Sequence, residues 1–352
     1  MIQVGLIGYG YAGRTFHAPL IRATPGLELA VISSSRPDRV HADLPGIAVV
    51  TTPEETFALP SVELIVIATP NDTHVPIATS ALTAGKHVVI EKPFAPTLEG
   101  ARELALLAER NHRVLAVFQN RRWDGDFLAV TDLLARTALG ELAHFESHFD
   151  RYRPLVRDRW RERAGVGSGL WYDLGPHLVD QALQLFGLPD RVTASLAAQR
   201  AGAQADDWAH AILEYGRLRV VLHASVLVAA RLPRFIVHGQ AGSWVKYGLD
   251  AQEGHLIAAL TPGAPGPAAD SEHAVVVDGV SGAETATPIP HGDYRQFYMQ
   301  LRDAVRGVAS NPVPPAQALA VMAVVETAIR SSAERRALAL PLTEVEIRGF
   351  TS

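Results

Sequence analysis

Three groups of residues in this 352-residue chain have the types and spacing for chemistry. The first is Gly8-Tyr9-Gly10-Tyr11-Ala12-Gly13, a G-x-G-x-x-G turn directly after the apolar run Ile2–Ile7. Gly8 permits the tight bend, Gly10 lets the backbone approach a pyrophosphate, and Gly13 lets helix and strand pack closely. Free N–H groups at the start of the next helix would then hold the phosphates. After a strand and before a helix, the hexapeptide predicts a dinucleotide site; a purely structural glycine turn accounts poorly for three glycines at this spacing.

The end of the second apolar run selects the dinucleotide. An NAD site carries Asp or Glu there, to grip the ribose 2′-hydroxyl. Here the run ends Ile32-Ser33-Ser34-Ser35-Arg36, and the acidic Glu28 lies at its wrong end. Three hydroxyls and a guanidinium suit a 2′-phosphate, so the sequence favours NADP over NAD. A solvated turn with an incidental arginine is the plainer alternative.

The second group comprises Thr69-Pro70-Asn71-Asp72-Thr73-His74 and Glu91-Lys92-Pro93, each following a buried-strand pattern. Open α/β sheets place ligands at such carboxyl ends. Pro93 keeps Lys92 out of helical geometry and can take the cis form, which would hold the lysine at a set angle. The third group is Asp173 and His177, four apart in Gly169-Leu170-Trp171-Tyr172-Asp173-Leu174-Gly175-Pro176-His177. At a helix start both side chains share one face. Imidazole titrates nearest neutrality, as a general acid or base must. A helix-capping Asp173 with a core or surface His177 fits the spacing equally well.

The elements that position these groups follow from hydrophobic patterning. Through residue 120, apolar runs at Ile2–Ile7, Leu27–Ser33, 64–68, His87–Ile90 and 113–117 alternate with amphipathic stretches at 75–84 and Leu98–Arg110. Runs without polar alternation suit strands buried on both faces, which predicts a doubly wound parallel Rossmann sheet. Beyond residue 120 the pattern changes. A helix is expected over 126–137 and longer, alternating strands over 143–150, 192–199, Trp208–Tyr215, 218–228 and 234–245. Residues 261–290, rich in Pro, Gly and Ala, predict a loop or irregular hairpin, and helices follow over 294–307 and Pro315–Glu334. The expected division is a Rossmann domain over 1–120 and an α+β domain with a large open, mostly antiparallel sheet over 121–352.

Composition excludes several function classes. Lys and Arg number 32 against 37 Asp and Glu, a net charge of −5, so no basic excess invites nucleic acid or an anionic membrane. There is no cysteine, hence no disulfide, thiolate zinc site or cysteine nucleophile. No membrane span and no signal peptide are expected, which makes a cytoplasmic location the default.

Taken together, these motifs resemble the glucose–fructose oxidoreductase / inositol dehydrogenase family of NAD(P)-dependent oxidoreductases. The likeness rests on Gly8-x-Gly10-x-x-Gly13, Thr69-Pro70 with His74, Glu91-Lys92-Pro93, Asn120 with Arg122, and Gly169 through Asp173 to His177, in family order and spanning most of the chain. Within it, the segments at 69–74, 120–124 and 145–151 look like a bacterial subgroup that includes NADP-dependent scyllo-inositol dehydrogenases. The resemblance implies Lys92 as the catalytic lysine, Asp173 as its polar partner and His177 as the acid/base. It further implies Glu91 at the nicotinamide ribose, and sheet-mediated homodimers or homotetramers. The cofactor site would comprise Gly8, Gly10, Tyr11, Ala12, Gly13, Ser33, Ser34, Ser35, Arg36, Thr69, Pro70, Asn71, His74, Glu91, Lys92 and Asn120.

The implied substrate is a cyclitol, sugar or related polyol. Its candidate contacts are Lys92, Arg122, Trp123, Trp160, Tyr172, Asp173 and His177, with Asn120, Asp150, Arg153 and Arg157 flanking the same motifs. A solvated ion-pair surface is the alternative for the Arg-rich run 151–163. His144 and His148 share a strand face with Glu146, and His210, His223 and His238 lie on other expected strands. Lacking cysteines or an H-E-x-x-H helix, the sequence predicts no metal. Two other functions compete: a non-catalytic NAD(P)-binding sensor on the same fold, and an NAD-dependent redox glycosidase.

Overall fold

The computed structural model describes residues 1–263 and 274–351, and they fall into two compact units. The first comprises residues 1–123 together with 251–263 and 293–319. Six parallel strands form its sheet: β1 (Ile2–Ile7), β2 (Leu27–Ser33), β3 (Ala48–Val50), β4 (Val62–Ile67), β5 (His87–Ile90) and β6 (Leu115–Val117). Their spatial order is β3-β2-β1-β4-β5-β6, the doubly wound arrangement whose order reverses between β1 and β4. The reason is visible in the side chains: Val4, Leu6, Leu64, Ile65, Val88 and Ile90 are fully buried, as strands covered by helices on both faces require.

Two short helices and β3 escape the hydrophobic pattern. Pro53–Phe57 nevertheless carries its own start signal, a capping box in which Thr52 and Glu55 satisfy each other's backbone N–H groups. The later segments join this unit at Trp123, whose carbonyl accepts from Gln252 Nε2 (3.0 Å) and from the Asp293 N–H (3.1 Å). Phe118 sits at the centre of the join, its ring 4.9 Å from Phe297 and 4.4 Å from His17.

The second unit comprises residues 124–250, 274–292 and 320–351. Eight strands build its sheet: β7 (Leu142–Asp150), β8 (Arg191–Ala197), β9 (Trp208–Tyr215), β10 (Leu218–Ser225), β11 (Pro233–Gly239), β12 (Gly242–Tyr247), β13 (Ala274–Asp278) and β14 (Glu284–Thr287). The order is β14-β13-β12-β11-β7-β10-β9-β8, and only β7 and β10 pair in parallel. As the alternation predicts, Phe145, Ser147 and Phe149 of β7 are buried, while His144, Glu146, His148 and Asp150 are half-buried on the other face.

One expectation needs correction. The strand expected over 234–245 is two strands, because the chain reverses at Gln240 and Ala241 and β12 pairs back on β11. The stretch 261–290 contains the β13–β14 hairpin, and its part from 264 to 273 lies outside the described residues. The expected helix over 126–137 runs Gly125–Ala135. Among the described residues, no helix is long and apolar enough to cross a membrane.

Candidate active site

Each glycine of the first motif meets a different physical demand. Gly8 has φ +94° and lies against the Ala68 backbone, where a Cβ would come within 2.7 Å of the carbonyl oxygen. A Cβ on Gly13 would collide with the Gly8 carbonyl. At Gly10 a Cβ would meet nothing within 4 Å. Two glycines therefore close the turn between β1 and the following helix, and the third presents bare backbone to open space. That pattern fits a pyrophosphate. The Gly8 N–H bonds the Ser33 carbonyl at 2.9 Å, which ties the glycine turn to the end of β2.

Ser33 is buried there, and Ser35 and Arg36 are exposed just beyond it. No carboxylate follows β2 until Asp38. Tyr11 is exposed and donates its hydroxyl to Glu253 Oε1 at 2.8 Å; Glu253 Oε2 holds Arg121 at 2.6 Å. Arg14, one residue past the motif, is committed to Asp43 through a bidentate pair (2.6 and 2.9 Å).

At the end of β4, Asn71 is buried and His74 fully so. His74 directs Nδ1 at the Pro93 carbonyl (2.9 Å) and Nε2 at the Thr69 carbonyl (3.1 Å). Burial pushes its pKa down while the two carbonyls pull it up, and because both partners are acceptors a neutral ring can donate to only one of them. At the end of β5 the Lys92–Pro93 peptide is cis. Glu91 is buried beside it, and Lys92 is half-buried.

The Glu91 carboxylate is held by residues that sequence reasoning missed. Its Oε1 lies 2.9 Å from His17 Nε2, and its Oε2 accepts the Lys92 backbone N–H at 3.1 Å. The other His17 nitrogen, Nδ1, lies 2.6 Å from the Tyr298 hydroxyl. A neutral imidazole satisfies this chain if Tyr298 donates to Nδ1 and Nε2–H donates to Glu91. Burial favours the protonated acid, yet the bond from His17 and the charge of Lys92 hold Glu91 below the usual carboxylate range. Burial, and then Glu91, push the Tyr298 phenol well above its ordinary value. His17 could have been suspected, one helical turn past Gly13; nothing near position 298 signals its partner.

Asn120 is buried after β6. Arg122, a candidate substrate contact, binds the Pro312 carbonyl (3.0 Å) and Gln317 Oε1 (2.7 Å), and Trp123 packs edge-on against Phe297. Both side chains are half-buried and make these contacts within the first unit.

In the second unit the long helix Leu170–Phe186 carries Asp173 and His177. Its cap is not Asp173. Asp206 accepts the Trp171 N–H at 2.7 Å, and its main-chain oxygen accepts the Leu170 N–H at 2.8 Å. A Cβ on Gly169, which has φ +94°, would collide with the same carboxylate. Burial pushes the Asp206 pKa up to about 6 against the opposing bonds from backbone N–H groups. Relieved of capping, Asp173 faces Arg161 at 3.7 Å and Arg151 at 3.9 Å.

His177 is buried, its ring stacked 6.5 Å from Phe149 on the helix side of the sheet. Gln181, one further turn along, accepts from the buried Arg234 at 2.7 Å. Arg234 also reaches Ser147 Oγ at 2.5 Å and lies 3.8 Å from Asp126. Asp173, His177 and Gln181 thus form one polar stripe down the helix, anchored at its inner end by an arginine that the sequence did not single out.

The Arg-rich run divides. Arg163 pairs with Asp158 in solvent, as an ion-pair surface would. Arg151, Arg153, Arg159 and Arg161 instead line a concavity with Asp173. Burial and the charges of Arg151, Arg157 and Arg159 lower the Arg153 pKa. Trp160 is exposed beneath the Arg161 guanidinium (5.0 Å). Tyr172 is buried, its phenol pushed to about 12 by burial and then by Glu326 and Asp206. Asp150 lies on the opposite face of β7 from Phe149, and so on the face away from His177.

Two family models match the chain: an oxidoreductase family's NAD-binding Rossmann fold over residues 2–119, and an oxidoreductase family's C-terminal alpha/beta domain over residues 131–340. The chain is 55% identical over 346 residues to the uncharacterized oxidoreductase YdgJ of Escherichia coli (strain K12), covering 96% of this chain and 99% of that one. It is 37% identical over 343 residues to the scyllo-inositol 2-dehydrogenase (NADP(+)) IolW of Bacillus subtilis (strain 168), covering 96% of each. A crystal structure of a Klebsiella pneumoniae protein matches with a TM-score of 0.93 at 48% identity, over 99% of this chain and 98% of that one.

Proposed function

The chain belongs to the oxidoreductase family of those two models, the glucose–fructose oxidoreductase / inositol dehydrogenase family, and we propose that it oxidises or reduces a cyclitol, sugar or related polyol with NADP as its preferred cofactor. The observation that carries the cofactor preference is the end of β2. Ser34, Ser35 and Arg36 stand there without a carboxylate, beside a glycine turn whose middle glycine is open. A ribose 2′-phosphate would find hydroxyls and a guanidinium, where NAD would lack its usual acidic partner.

When bound, the nicotinamide supplies hydride transfer to or from a substrate carbon. The chain's own residues govern the oxygen on that carbon. In the oxidative direction His177 takes the hydroxyl proton as the C–H bond breaks, and it returns that proton in reduction. The Lys92 ammonium stabilises negative charge that develops on a substrate oxygen. Asp173 orients the polar groups around His177, and Glu91, braced by His17, sets the backbone from which Lys92 projects. The likeness to the scyllo-inositol 2-dehydrogenase supports a cyclic polyol as substrate. A homodimer or homotetramer through the second sheet belongs to the same reading.

The test is a panel of inositol isomers and sugars assayed with NADP⁺ and NAD⁺, and their ketones with the reduced cofactors. Turnover of a cyclitol or sugar with a higher kcat/KM for the phosphorylated cofactor supports the proposal. A clear preference for NAD⁺ overturns the cofactor assignment. Stoichiometric dinucleotide binding with no turnover on the whole panel overturns the substrate class.

A further inference from the structure

The face of the second sheet that turns away from Phe145 and Phe149 carries an unusual row of imidazoles. Register explains it. His148 of β7 pairs with His223 of β10, and His223 pairs in turn with His210 of β9, so three strands contribute one histidine each to a single line. Asp150 follows two residues after His148 on the same face. Its Oδ2 lies 3.4 Å from His148 Nδ1 and its Oδ1 lies 3.6 Å from His223 Nε2. One donor atom from each of His148, Asp150 and His223 falls within 4.8 Å of the others.

We propose that His148, Asp150 and His223 form a binding site for a divalent first-row cation of the Zn²⁺ type. Three observations carry it. First, the Asp150 carboxylate is shielded, with side-chain exposure of 11%, and neither oxygen makes a hydrogen bond; nor does His148 Nδ1. The two imidazoles face it only at 3.4 and 3.6 Å, beyond the length of a charge-assisted hydrogen bond, and a cation among the three would add counter-charge. Second, the two closest separations, each to a different Asp150 oxygen, are longer than direct bonds, and the three donors, within 4.8 Å of one another, have only to draw in around an ion. Charge-assisted N–H···O bonds run about 2.7–2.9 Å, whereas ligands about 2.1 Å from a tetrahedral Zn²⁺ stand about 3.4 Å apart.

Third, each imidazole has its other nitrogen occupied. His148 Nε2 lies 2.7 Å from Glu146 Oε2, whose carboxylate is also held by His144 at 2.6 Å, and His223 Nδ1 lies 3.4 Å from His210 Nδ1. A hydrogen bond that commits one ring nitrogen leaves the lone pair on the other for a metal, and a carboxylate partner raises its basicity. Trp208 walls the row, its ring 5.7 Å from His223 and stacked 6.0 Å from His210. Two imidazoles and a carboxylate suit zinc, nickel or iron(II) better than calcium or magnesium, and three protein donors leave a coordination position for water.

The experiment is calorimetric titration of the full-length, chelator-treated protein with Zn²⁺, repeated with Co²⁺ to read its visible ligand-field bands. The expected result is one Zn²⁺ per chain with Kd below about 1 μM, and a Co²⁺ spectrum of mixed nitrogen and oxygen ligation. His223→Ala should weaken Zn²⁺ at least about 100-fold, the upper end of what losing an outer-shell partner of a ligand costs. Asp150→Asn, which keeps the side-chain shape, should weaken it at least about tenfold, and His238→Ala on β11 should leave it unchanged. Thermal melts in chelator establish that each variant is folded, and His223→Gln stands in for His223→Ala if the latter is not. Absence of saturable Zn²⁺ binding by the wild-type protein overturns the proposal. So does equal binding by the wild type and the folded His223 and Asp150 variants.

Discussion

In the first unit, the candidate cofactor residues lie within a few positions of a strand's carboxyl end: Gly8 after β1, Ser33 to Arg36 at β2, Thr69 to His74 after β4, Glu91 and Lys92 after β5. In the second, Asp173 and His177 ride on a helix whose first N–H groups are capped from 35 residues away, by Asp206. The inner end of their stripe is held by Arg234, 53 residues beyond Gln181. Short motifs at strand ends supply the residues of the one site, even though Glu91 there is braced from positions 17 and 298, and long-range side-chain packing builds the other. A parallel sheet makes this difference inevitable: its strand ends converge along one edge, so short motifs suffice, while a helix on an antiparallel sheet borrows its partners from other strands.

The largest expected effect tests the first unit's chemistry apart from its scaffold. Lys92→Ala should lower kcat by about 10³-fold or more while the Kd for NADPH stays within about threefold, since the loss falls on charge developing in the transition state. Lost cofactor binding with turnover retained would break the contrast, because Lys92 would then belong to the cradle. Next in size is Arg234→Ala, which removes the bonds to Gln181 and Ser147 and a cation 3.8 Å from the buried Asp126, and should cost about 3–5 kcal/mol in chemical denaturation. A cost below about 1 kcal/mol would mean that the second unit's stripe does not depend on its distant anchor.

The pH dependence of stability sharpens the same point. Asp206 has a folded pKa near 6 against 3.8 for the ordinary side chain, so between those values the folded state holds a proton that the unfolded chain releases. Its contribution is therefore present below about pH 4 and lost as pH rises through 6, a change of up to about 3 kcal/mol. Asp206→Asn keeps an acceptor for the Trp171 N–H and should flatten that slope in urea titrations at pH 4 and pH 7. An unaltered slope would remove Asp206 as its source. Smallest is Arg36→Ala: loss of one exposed guanidinium should raise the Kd for NADPH about tenfold, or about 1.4 kcal/mol, and leave NADH within about twofold. Equal effects on both cofactors would show that Arg36 does not read the 2′-phosphate.

Much of the fold was legible because buried parallel strands announce themselves as unbroken Val, Ile and Leu runs, and β7 announces itself by alternation. The missed elements β3, Pro37–Asp43 and Pro53–Phe57 are too short to show a period, although Thr52 and Glu55 marked one start. The reversal at Gln240 was hidden because both strands around it alternate in the same way. Among site residues, Gly8, Gly10 and Gly13 could be assigned separate duties from spacing alone; a side chain would collide at Gly8 and Gly13 and meet open space at Gly10. Asp173 could equally have been a cap, and only the position of Asp206 decided otherwise.

The amino-acid order by itself determined where the backbone must bend, where an imidazole and an ammonium are available, and that no acidic residue closes β2. These are properties of neighbouring residues, written in a few consecutive positions. Tertiary structure alone decided that His17 and Tyr298 brace Glu91, that Asp206 caps the helix of His177, and that His148, His223 and His210 form one row. Those pairings depend on strand register and on contacts between distant segments, and hydrogen bonds made across such gaps leave no periodic trace in the chain.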